Sequence, residues 1–151
     1  MQKYEIRNLL NFGQVGAGKV VQFIPKEERI PVALPRHLPH NDSIATVTVC
    51  GPSLTDLGIS DGDVLIVKLR FSRKMITQKT ICIVYILATG ELLAKRVRHS
   101  PNGVTLLSSG GGAKNLFFEH EAIEIRGVVV GHQRMFPDGQ CPELKMPELP
   151  F

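Results

Sequence analysis

Between residues 43 and 130 the chain is built from short apolar or alternating runs, four to eight residues long, with glycine, proline, aspartate or asparagine recurring in the connections between them. Runs of that length fall short of the ten or so residues a stable helix needs, and their β-branched content favours extended backbone. Residues 43–50 (SIATVTVC) alternate and end at Gly51-Pro52, so they read as a strand entering a turn. Residues 64–67, 81–87, 91–98, 104–107 and 123–130 read as further strands, separated by Asp61-Gly62-Asp63, Thr89-Gly90, Pro101-Asn102-Gly103 and residues 108–112. Thr89-Gly90 signals a tight hairpin, and Asn102-Gly103 a turn whose two central residues take positive φ. The fold class expected is mainly β: twisted antiparallel sheets and hairpins with little helix, only residues 53–57 reading as a short helical turn.

The flanks differ in character. Residues 1–12 are too few for a helix-turn-helix unit, and Gly13, Gly16 and Gly18 break any helix that follows, so residues 1–18 are expected to form a flexible arm. Residues 20–24, stopped by Pro25, and residues 30–34, followed by Pro35 and Pro39, read as edge strands or extended segments, where proline is tolerated. Residues 135–151 carry four of the ten prolines and no periodic pattern, which predicts a tail lying extended over the body or mobile. The expected division is therefore an arm (1–18), a single folded body (19–134) and a Pro-rich tail (135–151).

At 151 residues the chain can bury a core without staples. No window approaches the ~18 apolar residues of a membrane span, and the N-terminus lacks the apolar stretch of a signal peptide, so a cytoplasmic location and no membrane partner are expected. Cys50, Cys82 and Cys141 are odd in number and widely spaced, which suits reduced thiols better than a disulfide framework or a metal knuckle. The net charge of +4 permits an anionic partner, but much of the excess lies in Lys68, Arg70, Arg73, Lys74 and Lys79, a stretch that reads as a solvated connection.

Several residues invite a chemical reading. Residues 13–20 (GQVGAGKV) nearly match the phosphate-binding loop GxxxxGK[ST], but Val20 has no hydroxyl for Mg²⁺ and a strand-like run follows where a helix is required. Ser53 follows a strand and a Gly-Pro turn. With Asp56 three residues on it fits a helix-capping box, and the same position suits a nucleophile, because unpaired N–H groups at the start of a helical turn can hold a developing oxyanion. Lys95 shares one strand face with Leu93 and Val97, while Arg96 and Arg98 lie on the other with Leu92 and Ala94. A lysine in an apolar row is either a sheet-margin residue whose stem packs while its head reaches water, or a buried amine whose pKa falls until it can serve as a base. His37, His40, His99, His120 and His132 show no ligand spacing, so no metal or cofactor site is expected. No Gly-x-Ser-x-Gly elbow is present.

Taken together, these segments resemble the LexA family of self-cleaving repressors, which includes lambda-type phage repressors and UmuD. Gly51-Pro52-Ser53-Leu54 resembles the family's Gly-x-Ser-Met element, residues 58–67 (GISDGDVLIV) its Gly-Ile-x-Asp-Gly-Asp strand entry, and Ala94-Lys95-Arg96-Val97 its lysine strand some forty residues on. The resemblance implies a LexA C-terminal-domain-like fold and a Ser-Lys dyad, with Ser53 as nucleophile and Lys95 as general base. Because Val15-Gly16-Ala17-Gly18 resembles the family's cleavage segment, it also implies self-cleavage of the Ala17-Gly18 bond. Leu54 stands for the usual methionine at similar volume. Pro52 lacks an N–H, which implies weaker oxyanion stabilisation than in relatives.

What the resemblance further implies is a homodimer, with residues 125–131 forming a dimerising last strand, a RecA-type filament as co-protease partner in an SOS-type response, and DNA contact only through a DNA-binding domain outside this chain. Two other readings share the fold: a UmuD-like accessory subunit of a translesion polymerase, and a dimerisation or sensor module in which Ser53 is only a cap. Signal peptidases also use Ser-Lys chemistry but need a membrane anchor.

Overall fold

The alternating runs of the middle of the chain become neighbouring strands of one ten-stranded sheet. The computed structural model describes residues 3–16, 28–38, 43–51, 54–108, 114–134 and 143–145. Its strands are β1 (Tyr4–Gly16), β2 (Glu28–Pro35), β3 (Ile44–Cys50), β4 (Val64–Lys68), β5 (Ile81–Ile86), β6 (Glu91–Ser100), β7 (Gly103–Leu107), β8 (Leu116–Phe118), β9 (Ile123–Arg134) and β10 (Glu143–Lys145). They lie in the order β2-β1-β3-β4-β9-β5-β6-β7-β8, with β10 beside β9. Pairing is antiparallel except where β1 meets β3 and β6. The contact of β1 with β6 closes β1, β3, β4, β9, β5 and β6 into a ring. The fold is mainly β, as expected, and helix among the described residues is confined to 3₁₀ turns at Thr55–Leu57, Arg73–Met75 and His120–Ala122.

Both faces of the sheet are covered, which is why β4 is apolar at four consecutive positions: side chains alternate between two cores. Val64, Ile66, Cys82, Val84, Leu93, Val97, Leu106 and Val128 pack into the larger one. Leu65, Val67, Ile83, Leu92 and Ala94, their chain neighbours, pack with Val47, Val49, Leu54 and Ile59 into the smaller. The basic connection after β4 lies outside both, with Arg70, Arg73, Lys74 and Lys79 exposed.

The structure departs from the sequence expectations in four places. Most of the expected arm is β1, a thirteen-residue strand paired along its length with β2 and β3. The expected tail contributes β10, paired with Arg134, Gln133 and His132 of β9. The β5–β6 connection holds the four residues 87–90, with Gly90 at φ +73°, a left-handed conformation that only glycine adopts without strain. Between β6 and β7 the two loop residues are Pro101 and Asn102, and Gly103 is already in the strand, paired with Ser100. No described residue other than glycine has positive φ. Gly103 is small because a Cβ there would collide with the Phe118 carbonyl and the Phe117 ring of β8. β2 is the sheet edge, which accommodates Pro31 and Pro35, and the run at residues 20–24 lies outside the described residues.

Candidate active site

Of the residues singled out from sequence, Lys95 is described, whereas Ser53, Ala17 and Gly18 lie outside the described residues. What the structure fixes is the framework on either side of each.

β3 delivers the chain to Gly51, whose φ of +110° turns it out of the strand. The Gly51 N–H donates to Asp61 Oδ1 at 2.7 Å. The loop carrying Asp61 is stitched to β3 by Gly62 N–H to the Val49 carbonyl and Val49 N–H to the Asp63 carbonyl, both at 2.8 Å. Beyond Ser53, Leu54 is fully buried in the smaller core, and its carbonyl accepts from Leu57 N–H at 3.0 Å. The 3₁₀ turn Thr55–Leu57 has Leu54 at its cap position, which offers no side-chain cap, and the capping-box reading of Ser53 with Asp56 falls on a serine outside the described residues. Ser53 lies in a two-residue step between an anchored glycine and an anchored leucine.

The Asp61 loop is itself held. Asp63, 2% exposed, accepts from Arg134 Nε at 3.1 Å and Nη2 at 3.3 Å, and from the Ser60 N–H at 2.8 Å. The same Arg134 Nη2 reaches Ser60 Oγ at 3.0 Å and the Gly58 carbonyl at 3.3 Å. Asp61, Asp63 and Arg134 hold this loop to β3 and β9 through contacts that local sequence patterns do not pick out. Asp61 and Asp63 stand in the sequence as part of a family element, but their partners Gly51 and Arg134 are ten and 71 residues away.

Lys95 is 4% exposed, buried on β6. Strand alternation puts it on the face of Leu93 and Val97, which belong to the larger core, directly across the ladder from Cys82. Burial disfavours its ammonium form and lowers its pKa from the ordinary lysine value. Cys82 is fully buried, and the same effect pushes its thiol up to about 12, so it faces Lys95 as a neutral group. Of the two sequence readings, the sheet-margin lysine with its head in water is not the one observed.

The third component is β1. Its last residue, Gly16, pairs with Cys50 of β3 and also with Leu93 of β6. Cys50 is three residues before Ser53, Leu93 is two before Lys95, and Gly16 immediately precedes Ala17. The strand that leads to Ala17 thus runs in between the strand ends that lead to Ser53 and to Lys95. Gly13 and Gly16, the first two glycines of the phosphate-loop pattern, belong to this strand, and residues 17–20 of the pattern lie outside the described residues.

Among the described residues no three His, Cys, Asp or Glu side chains come together as a metal site, and no helix is long and apolar enough to cross a membrane. His99 and His120 stack with centroids 6.3 Å apart, far along the sheet on β6 and beside β9.

A family model described as Peptidase S24-like matches residues 9–130. The chain is similar to LexA repressor of Pelagibacter ubique, 30% identical over 82% of this chain and 53% of that protein. It is similar also to LexA repressor of Clostridium novyi, 26% identical over 87% of this chain and 62% of the relative, and to that of Exiguobacterium sp., 28% identical over 81% and 56%. The chain spans little more than half the length of these relatives.

Proposed function

Given that this chain belongs to the Peptidase S24-like family, we propose that it is the self-cleaving, dimer-forming domain of a LexA-type repressor, with Ser53 and Lys95 as its catalytic dyad and the Ala17-Gly18 bond as its substrate. Residues 1–18 are the leading segment that is cut, 19–134 the peptidase and dimerisation body, and 135–151 a tail.

The chemistry follows from an uncharged amine. Lys95 takes the proton of the Ser53 hydroxyl as its oxygen attacks the Ala17 carbonyl carbon, giving a tetrahedral oxyanion. Collapse breaks the bond to Gly18, whose amine leaves with the proton returned by Lys95, and the residue-17 acyl ester on Ser53 is then hydrolysed by water. Pro52 offers no N–H, so backbone stabilisation of the oxyanion falls to the remaining N–H groups of the turn, Ser53's included. Because substrate and catalyst share one chain, the reaction runs at high effective molarity, and its control lies in how often the leading strand occupies the site. A RecA-type filament acts by raising that occupancy, which makes this an SOS-type switch in the cytoplasm. Contact with operator DNA belongs to a separate DNA-binding domain.

The observation that supports this reading is the double pairing of Gly16 with Cys50 and Leu93, next to a lysine 4% exposed. Intact-mass spectrometry after incubation at pH ~10, near the unperturbed lysine pKa, tests it. The expected products are residues 1–17 and 18–151, absent from Ser53→Ala and Lys95→Ala. An unchanged mass in the parent chain overturns the reading.

A further inference from the structure

β1 does not run in simple register beside β3. Asn11 pairs with Thr46, but Gln14 pairs with Thr48, so three steps along β1 match two along β3 and one extra residue is accommodated between them. Without that bulge Val15 would stand where Gly16 now meets Cys50, and every later residue of the leading segment would be displaced by one and turned to the opposite face.

A buried polar cluster sits at the start of the bulge. Asn11, 3% exposed, donates through Nδ2 to Thr46 Oγ1 at 3.0 Å and Thr48 Oγ1 at 3.4 Å, while the Thr46 hydroxyl donates to the Leu10 carbonyl at 3.2 Å. Thr46 is fully buried. A slip of β1 by one residue would strand these amide and hydroxyl groups among apolar neighbours, at a cost no apolar contact at the same position would impose. Leu9, two residues earlier on the same face, packs in the larger core and would slide against Leu or Ile partners with far less penalty.

We propose that the Asn11, Thr46 and Thr48 hydrogen bonds, with the one-residue bulge that follows, form a register lock that selects which peptide bond of the leading strand is presented for cleavage. The inference rests on the self-cleavage reading above and adds to it that spacing from Asn11, as well as the Ala-Gly sequence, chooses the bond. Asn11, Thr46 and Thr48 are positioning residues.

The test inserts one glycine between Gln14 and Val15, leaving residues 15–19 intact. With Asn11 and Gln14 held, Val15 takes the place of Gly16 and Gly16 that of Ala17. Intact mass after alkaline incubation is expected to report a cut between Gly16 and Ala17, or no cut at all. Combining the insertion with deletion of Gly13 restores the spacing from Asn11 to Ala17, and cutting at Ala17-Gly18 is expected to return, which separates register from misfolding. Thr46→Val, which removes both the acceptor for Asn11 and the donor to Leu10, is expected to slow cutting about tenfold and to spread it to neighbouring bonds. An insertion variant cut at Ala17-Gly18 at the parent rate overturns the lock, as does a double variant that stays uncut. A parent chain that does not cut itself overturns the self-cleavage reading instead.

Discussion

Lys95 stands directly opposite Cys82 across the β5–β6 ladder, both buried and both favoured in their uncharged forms by burial. A neutral thiol opposite the lysine does not oppose loss of its proton. A carboxylate at the same place would hold the ammonium form and raise the lysine pKa, moving the rise of self-cleavage to higher pH. Cys82→Asp is therefore expected to cut at least tenfold more slowly than the parent at any pH below the parent's plateau, because a rise of one in the lysine pKa lowers the neutral fraction there about tenfold. Cys82→Val, similar in volume, should keep the parent profile. Cleavage rates followed by mass across pH 7 to about 10.4, the ordinary lysine pKa, check both.

Burial of Lys95 also has a signature in stability. Its folded-state pKa lies below the ordinary lysine value, so between the two the unfolded chain carries a proton that the folded chain does not, and stability rises with pH across that window. Below the lowered value the folded protein holds a charged amine that burial disfavours, and the destabilisation is complete. Lys95→Met removes it. Its melting temperature relative to the parent should be most favourable below the lowered value and should lose that advantage as pH climbs toward the ordinary lysine value. Thermal unfolding of Ser53→Ala proteins, which do not cut themselves, isolates the effect.

Asp61 is expected to matter more for rate than for stability. Its carboxylate holds the Gly51 N–H at 2.7 Å, and Gly51 is two residues from Ser53, but Asp61 itself is exposed. Asp61→Ala should cost only about 1 kcal/mol in urea unfolding, one hydrogen bond's worth, while slowing self-cleavage by about tenfold or more through a loosened serine turn. Asp61→Asn, which keeps an acceptor, should recover most of the rate.

Arg134 has the opposite balance. Removing it leaves the Asp63 carboxylate, 2% exposed, buried without its guanidinium. Arg134→Ala is expected to lose about 3 kcal/mol of stability in urea unfolding, and Arg134→Lys to recover only part of it, because the fork reaching Asp63, Ser60 Oγ and the Gly58 carbonyl cannot be matched by one ammonium.

How far the sequence revealed the molecule depended on how local each cause was. β3, β4, β5, β6, β7 and β9 were legible because period-two alternation and β-branched residues act within a few residues of themselves, and the same alternation put Lys95 in an apolar row. β1 was not, because its pattern is inverted in places: Asn11 is buried while Ile6 is 67% exposed, and its partners in β2 and β3 are 17 to 35 residues away. β8 and β10 span three residues each, too few for a period to register. Gly103 reads as a turn glycine when only its neighbour Asn102 is considered, and as a close-approach glycine once Phe117 and Phe118 of β8 are beside it. The roles of Asp61, Asp63 and Arg134 arise from pairings that chain order does not encode.

Self-cleavage as proposed requires the amine at position 95 to work uncharged on its own chain. The most direct measurement is the first-order rate of loss of intact protein as a function of pH, with Lys95→Arg alongside. The expected result is a tenfold rise per pH unit, levelling off below the ordinary lysine pKa, and no cutting by the arginine variant, whose side chain cannot deprotonate. A rate independent of pH, or an arginine variant that cuts as fast as the parent, would contradict it.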